Sequence, residues 1–253
     1  MLKLVQLPLL IKKLASDEPL QRLAACQALG KLADKGATVA LLKVLDDRDR
    51  EVRAAACAAL GQIRDPRAVE LLAARLGDQD AEVRASAAKA LVSIGSASEE
   101  RLVARLADSS PVVRAAAALA LGQLGQSRNL PRLVSRIQDP DERVRTVVCR
   151  AIALLKDPSA NDLLVARLGD ESPNVRDAAA DALAALGEEQ LARAFLLALR
   201  GEHGAMEELG HIASQGDYRS TEPLIACLGN PDPLVRAGAA EALGYVGDPR
   251  AIE

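Results

Sequence analysis

Apolar and polar positions alternate along this chain with a helical period. In DDRDREVRAAACAALGQI, residues 46–63, the apolar residues Val52, Ala55, Ala56, Ala59, Leu60 and Ile63 fall at i, i+3, i+4, i+7, i+8 and i+11. On a 3.6-residue helix that spacing makes one apolar stripe behind a polar lead-in. The pattern then recurs. Its arginine returns as Arg22, Arg53, Arg84, Arg114, Arg145, Arg176 and Arg236, each followed seven residues later by Leu29, Leu60, Leu91, Leu121, Ile152, Leu183 or Leu243. The first six arginines are 31, 31, 30, 31 and 31 residues apart. Self-similarity at that period, helical throughout, predicts a solenoid.

A shorter apolar motif precedes each arginine helix. Leu14, Leu45, Leu76, Leu106, Ile137, Leu168, Leu199 and Leu228 each have an apolar partner four residues earlier, which predicts a short first helix. Asp–Pro openings such as DPRAVELL at 65–72 combine a capping carboxylate with a proline suited to a first turn. Gly95, Gly125, Gly187 and Gly247 stand just past the second helices, where a left-handed residue ends a helix. The expected fold is all-α: an α-solenoid, a right-handed superhelix of about eight helix pairs with a period of about 31 residues, in one array over 1–253. Repeats are expected near 1–33, 34–64, 65–95, 96–125, 126–156, 157–187, 188–214 and 215–253. The last ends in GDPRAIE, the start of a further repeat; either a longer protein was cut here or the turn is a frayed cap.

Composition narrows the function without naming it. Aromatic residues are 1% of the chain and tryptophan is absent, so alanines and leucines must build the core. Net charge is −3, from 32 basic and 35 acidic residues, which gives no footprint for a polyanion. No uncharged apolar run is long enough to span a bilayer. The N-terminal MLKLVQLPLLIKKLASDE reads as a first amphipathic helix rather than a signal peptide, because Lys12 and Lys13 interrupt it and no small-residue cleavage site follows. Cys26, Cys57 and Cys149 share one repeat column with Ala88, Ala118, Ala180 and Ala240. An alanine-or-cysteine column is a tight packing position, and stacked helices about 8–10 Å apart are too far for disulfides. Free thiols suit a reducing compartment, and the cytoplasm is expected.

An acid stands six residues before five arginines of the series: Asp47 and Arg53, Asp78 and Arg84, Asp108 and Arg114, Asp139 and Arg145, Asp170 and Arg176, with Asn230 and Arg236 continuing it. The expected role is a structural ladder. The aspartate accepts from helix N-terminal amides, and the arginine bridges that aspartate or a neighbouring repeat's. A row of phosphate-binding arginines is the other reading, disfavoured because each arginine travels with its own acid.

The motif in ESPNVRDAAADALAALG and NPDPLVRAGAAEALGYVGDPRAIE resembles HEAT-like repeats of the phycobilisome-lyase type, over essentially the whole chain. The resemblance implies an armadillo-like α-solenoid whose second helices line a concave side. It implies no single activity, since such repeats occur in bilin lyases, hydroxylases, DNA-repair enzymes and adaptors. The hydroxylase branch binds iron through His-Glu dipeptides, whereas the two histidines here, His203 and His211, precede glycine and isoleucine. The DNA-glycosylase branch uses a basic, aromatic face that this composition lacks. Four cysteines spread over 200 residues offer no zinc spacing, and no phosphate loop or catalytic dyad is present. The expected function is a non-catalytic scaffold that binds a protein or peptide, with no cofactor, metal, nucleic acid or membrane. The alternative is an accessory or lyase-like subunit acting on a bilin or its carrier protein.

Two places are candidates for partner contact. The column six residues after the valine slot varies freely: Gln27, Ala58, Lys89, Leu119, Arg150, Asp181 and Glu241. Such variation predicts a solvent face, with Lys89, Leu119 and Arg150 as contacts. The second place is repeat seven, where the anchors Leu199 and Leu209 are 10 residues apart instead of 15. Around this loss lie Phe195, His203, Met206, His211, Tyr218 and Tyr245, nearly all the chain's rare bulky residues. They either plug a poorly stacked repeat or form a binding hot spot.

Overall fold

A computed structural model describes residues 2–252, and the side chains of residues 6–249 and 251. Among the described residues are sixteen α-helices and no strand. They divide into two compact units, Met1–Leu124 and Gly125–Glu253. The first unit pairs α1 (Leu2–Lys13) with α2 (Pro19–Leu32), α3 (Thr38–Val44) with α4 (Arg50–Ile63), α5 (Val69–Ala74) with α6 (Ala81–Ile94), and α7 (Glu99–Arg105) with α8 (Pro111–Gln123). The second pairs α9 (Leu130–Val134) with α10 (Glu142–Leu155), α11 (Asn161–Leu168) with α12 (Pro173–Ala185), α13 (Glu189–Ala198) with α14 (His203–Ser214), and α15 (Thr221–Cys227) with α16 (Pro233–Val246). The fold class is the expected all-α solenoid of helix pairs.

Local chemistry sets the helix ends. Asp49, Asp80, Asp141 and Asp232 cap second helices, each carboxylate accepting from a main-chain N–H of the first turn. The Asp–Pro openings form a single 3₁₀ turn ahead of the first helix; Asp65 and Asp157 cap it by accepting from Arg67 N and Ser159 N. Gly95, Gly125, Gly187 and Gly247 have positive φ as expected. In three pairs the same position is filled by Ala33, Arg64 and Lys156, at φ 51°, 55° and 53°.

The repeated apolar columns form the core. Val52, Val83, Val144 and Val175 are fully buried, as are Leu29, Leu60, Leu91, Leu121, Ile152 and Leu183. In pair eight Leu243 is half-buried and Leu228 exposed. Cys26, Cys57 and Cys149 are buried free thiols, and burial pushes each up to about 12. Small residues let helices close in: a Cβ on Gly61 of α4 would stand 2.8 Å from Ala90 Cα of α6.

Pair seven departs from this pattern as the sequence foretold. Its turn spans residues 199–202, with Gly201 at φ 82°, and Glu202 at the helix start makes no side-chain cap. Five fewer residues leave it no polar turn to lay between those of pairs six and eight. The first helix of pair eight therefore packs on that of pair six: a Cβ on Gly169, just past α11, would stand 2.7 Å from Pro223 O of α15. The end of α13 is pressed onto α16, where a Cβ on Gly238 would meet Ala198 O at 2.6 Å.

Candidate partner-binding faces and the arginine ladder

The arginine ladder joins consecutive pairs. Arg22 donates from Nε to Asp47 Oδ2 at 2.6 Å and from Nη2 to Asp47 Oδ1 at 2.8 Å. Arg53 grips Asp78 and Arg145 grips Asp170 in the same two-pronged way. Each of these acids lies 25 residues after its arginine, in the next repeat. The acid six residues before plays a different part: its main-chain carbonyl accepts from Nη1, as Asp47 O does from Arg53 at 2.9 Å. Of the two pairings the sequence allowed, the carboxylate thus goes to the neighbouring repeat. For Asp47 and Asp78, burial pushes the carboxyl up, but the arginine and a main-chain N–H two residues on outweigh it and hold the group below its usual range. The geometry is that of a stacking clamp, with each guanidinium consumed inside the protein.

The ladder has irregular rungs. Arg114 donates to Asp108 O and Ser109 O. Arg84 donates to Asp78 O and Gln79 O and forms no salt bridge; Asp108, which pairs with Arg105, lies 24 residues on instead of 25. That one-residue loss is the 30-residue step in the series. Arg176 donates to Asp170 O and Glu171 O, and Arg236 to Asn230 O and Pro231 O.

Two further connections carry no signal in the arginine series. Thr38 Oγ1 donates to Asp65 Oδ2, and Thr221 Oγ1 to Asp248 Oδ2, each at 2.8 Å, buried and 27 residues apart. They tie the start of one first helix to the start of the next; the shared 27-residue spacing was the clue. Arg219 is the second. It bonds Asp217 beside it and Glu188 at the start of α13, with Asp162 of α11 at 3.7 Å. Asp217 first and Glu188 second push this guanidinium further up. One exposed-looking arginine thus holds pairs six, seven and eight together.

The variable column faces solvent in both units. Gln27, Ala58 and Lys89 are exposed and Leu119 half-exposed; Arg150, Asp181 and Glu241 are exposed. In the first unit a groove of about 620 Å³ runs between α4 and α6. Gly61 and Ala90 lie at its base, with Gln62, Arg64, Glu82, Ser86, Lys89 and Ser93 around it. Such a cleft, with mixed polar groups over a rigid floor, can orient an extended peptide.

The residues of repeat seven do not gather into one hollow. Met206 and Phe195 are fully buried and pack as core, so Met206, expected as a contact, offers no surface. His203, at the start of α14, lies 3.3 Å from Glu241 of α16 through Nδ1. His211 is two turns further along α14, beside Gln215, and Tyr218 lines a separate shallow hollow with Asp217, Arg219 and Glu222. Tyr245 is 43% exposed on α16, its main chain against Gly210. The plug reading therefore describes the phenylalanine and methionine, while the histidines and tyrosines occupy different faces. No cluster of three or more His, Cys, Asp or Glu fit for a metal, and no helix long and apolar enough to cross a membrane, occurs among the described residues.

Comparison with known proteins follows the fold. The phycocyanin lyase complex of CpcE and CpcF from Nostoc sp. PCC7120 contains a chain 23% identical, with 95% of this chain and 93% of that one covered at a TM-score of 0.45. YibA of E. coli is 19% identical, with 93% and 91% covered, at a TM-score of 0.50. A designed armadillo repeat protein is 19% identical, with 95% and 99% covered, at a TM-score of 0.37. No curated protein matches the sequence. The HEAT-repeat model matches residues 7–92, 72–148, 130–204 and 202–253, and the chain belongs to the HEAT-repeat family.

Proposed function

We propose that this protein is a non-catalytic scaffold that holds a protein or peptide on its exposed second-helix face. The groove between α4 and α6 carries the proposal, because free polar side chains stand there over a floor fixed by the Gly61–Ala90 approach. The ladder arginines Arg22, Arg53 and Arg145 are spent on internal carboxylates, which favours a stabilising role for them over recognition. In the first unit Lys89 supplies positive charge on this face; in the second, Arg150 supplies positive charge and Asp181 and Glu241 negative charge. A partner would be oriented by such charges more than held by them.

Affinity capture followed by mass spectrometry tests the proposal. A co-purifying polypeptide that is lost with Lys89→Glu, in a variant that unfolds like the parent, supports it. A visible absorption shift on adding a bilin, with no polypeptide captured, would replace it with the lyase-like accessory role.

A further inference from the structure

Two cations that no acid of the protein uses stand on the groove between α4 and α6. These helices run in the same direction, since Arg50 at the start of α4 pairs with Asp80 just before α6, and Gly61 near the end of α4 meets Ala90. Arg64, the residue after α4, and Lys89 of α6 are both exposed and line the groove. Neither side chain forms a hydrogen bond or an ion pair. Among the lining residues the one carboxylate is Glu82, in the first turn of α6. It lies seven residues from Lys89, about 10 Å of helix rise. The cationic half of the groove is therefore free of acid, with Gln62 and Ser93 beside it as neutral polar groups.

Arg64 holds its place against the preference of its backbone. It takes φ 55°, the left-handed conformation given to glycine at Gly95, Gly125 and Gly187. A side chain is strained there and glycine is not. Ala33 takes the same conformation after α2 without a charge, so ending a helix this way does not call for a cation. A cation at a helix C-terminus gains from the helix dipole, but an exposed one gains little. Strain of this kind collects where a side chain is needed for binding. The combination is also particular to this groove. The same two repeat positions hold Ala33 and Ala58 between α2 and α4, Gly95 and Leu119 between α6 and α8, and Lys156 and Asp181 between α10 and α12.

We propose that the α4–α6 groove receives an extended, acidic segment of a partner protein, with Arg64 and Lys89 each taking one carboxylate. The Gly61–Ala90 contact sets Arg64 level with Ser93, four residues and about 6 Å of rise beyond Lys89. Alternate side chains of an extended strand point the same way, about 6–7 Å apart, so two acids separated by one residue match the two cations. Glu82 repels a third acid at the other end of the groove. Nucleic acid fits less well: its phosphates would run unbroken past Glu82, and the first unit contains no aromatic side chain on which a base could stack. That a protein supplies the segment rests on the scaffold function above; the groove's preference for carboxylates does not.

The test titrates the full chain with a fluorescent peptide of core Ser-Glu-Ser-Glu-Ser, blocked at both ends, and with its glutamine counterpart. The glutamate peptide should bind about tenfold tighter, and added salt should weaken it while leaving the glutamine peptide unchanged. Arg64→Gly should weaken glutamate-peptide binding about tenfold and raise the unfolding temperature, a combination that a merely structural arginine does not give. Lys89→Gln should weaken it similarly at unchanged stability. Lys156→Gly removes the same strained cation beside Asp181, and should stabilise the protein without touching the binding. Equal binding of the two peptides, or full affinity in Arg64→Gly or Lys89→Gln, overturns the proposal. A short oligothymidylate that binds tighter than the glutamate peptide, and is released by the same variants, overturns it in favour of nucleic acid. A captured polypeptide that Lys89→Glu releases but the glutamate peptide does not displace leaves the scaffold standing and overturns only the acidic segment. Tight glutamate-peptide binding with no polypeptide captured supports the groove's preference and removes the scaffold.

Discussion

Arg53 and Asp78, 25 residues apart, form a two-pronged ion pair with Nε to Oδ2 at 3.0 Å and Nη2 to Oδ1 at 2.9 Å. The same guanidinium donates from Nη1 to Asp47 O, so one side chain fixes its own turn and the next pair's turn together. Both members are buried. Asp78→Ala should therefore cost about 3–5 kcal/mol, since it strands a buried charge. Arg84→Ala, on a half-buried rung without a carboxylate, should cost only about 1 kcal/mol. Denaturant midpoints of the two variants give the ordering, and equal losses would show that the carboxylate grip adds no more than the carbonyl contacts do.

The helix ends of pairs one, two and five invite stabilisation. Ala33, Arg64 and Lys156 hold the left-handed conformation at φ 51° to 55° that other pairs give to glycine. A side chain there costs about 1–2 kcal/mol, part of which glycine's greater unfolded-state freedom takes back. Arg64→Gly should raise stability by roughly 0.5–1 kcal/mol, and Ala33→Gly likewise. Thermal unfolding checks this; a lower unfolding temperature would mean that the Arg64 side chain makes compensating contacts.

Asp65 should make the first unit acid-sensitive. Arg67 chiefly, then its main-chain N–H and the Thr38 hydroxyl, hold this carboxyl well below the usual carboxylate range despite burial. A folded-state value below the unfolded value of about 3.9 stabilises above that pH and is progressively lost below it. Asp65→Asn should be less stable at pH 7 and should lose stability between pH 5 and 2 with a slope smaller by about one proton. Parallel curves for the parent and the variant would place the acid sensitivity elsewhere.

Much of this fold was legible because its signals are local. An apolar stripe, a capping aspartate and a glycine after the last turn each act within one helix, and the 31-residue recurrence multiplied them. Partner identity across the stack was not legible in the same way. The acid six residues before Arg53 and the one 25 after are both aspartates, and only the stacking geometry sends the side chain to the second. Arg219 stood out in nothing, since its role depends on Glu188 and Asp162 from other pairs. Rarity alone could not separate the buried Met206 from the exposed His203 in one short helix. Asn230 did continue the ladder series, but its bond to Glu171 O of pair six exists only because pair seven's shortened turn lets that of pair eight reach it.

The thiols should be quiet. Cys26, Cys57 and Cys149 are buried, with burial raising each to about 12, and the buried Cys227 is raised as well. The thiolate is the reactive form. All four should label only slowly in the native protein at pH 8 and completely after denaturation without reductant. A single fast-labelling thiol would mark a pair that opens locally.

Pair seven should be where opening starts, away from the chain ends. In a repeat array stability is close to a sum of unit and interface terms, and exchange reports the weakest interface first. Glu202 provides no cap to α14, and this pair brings no arginine rung of its own. Against that, Phe195, Met206 and Leu209 are fully buried, and Arg219 reaches Glu188 and Asp217 with Asp162 nearby. The core should hold the middle of α14, while its two ends depend on polar contacts exposed to water. Amide exchange should therefore appear first at residues 201–205 and 214–217, ahead of α4 and α10. Arg219→Ala should extend early exchange through residues 205–217 by releasing the turn from α11 and α13. Addition of the true partner should slow exchange here if the exposed His203, His211 or Tyr245, or the half-buried Tyr218, contacts it. Exchange as slow as in α4, unchanged by Arg219→Ala and by partner, would leave pair seven as a firmly packed plug.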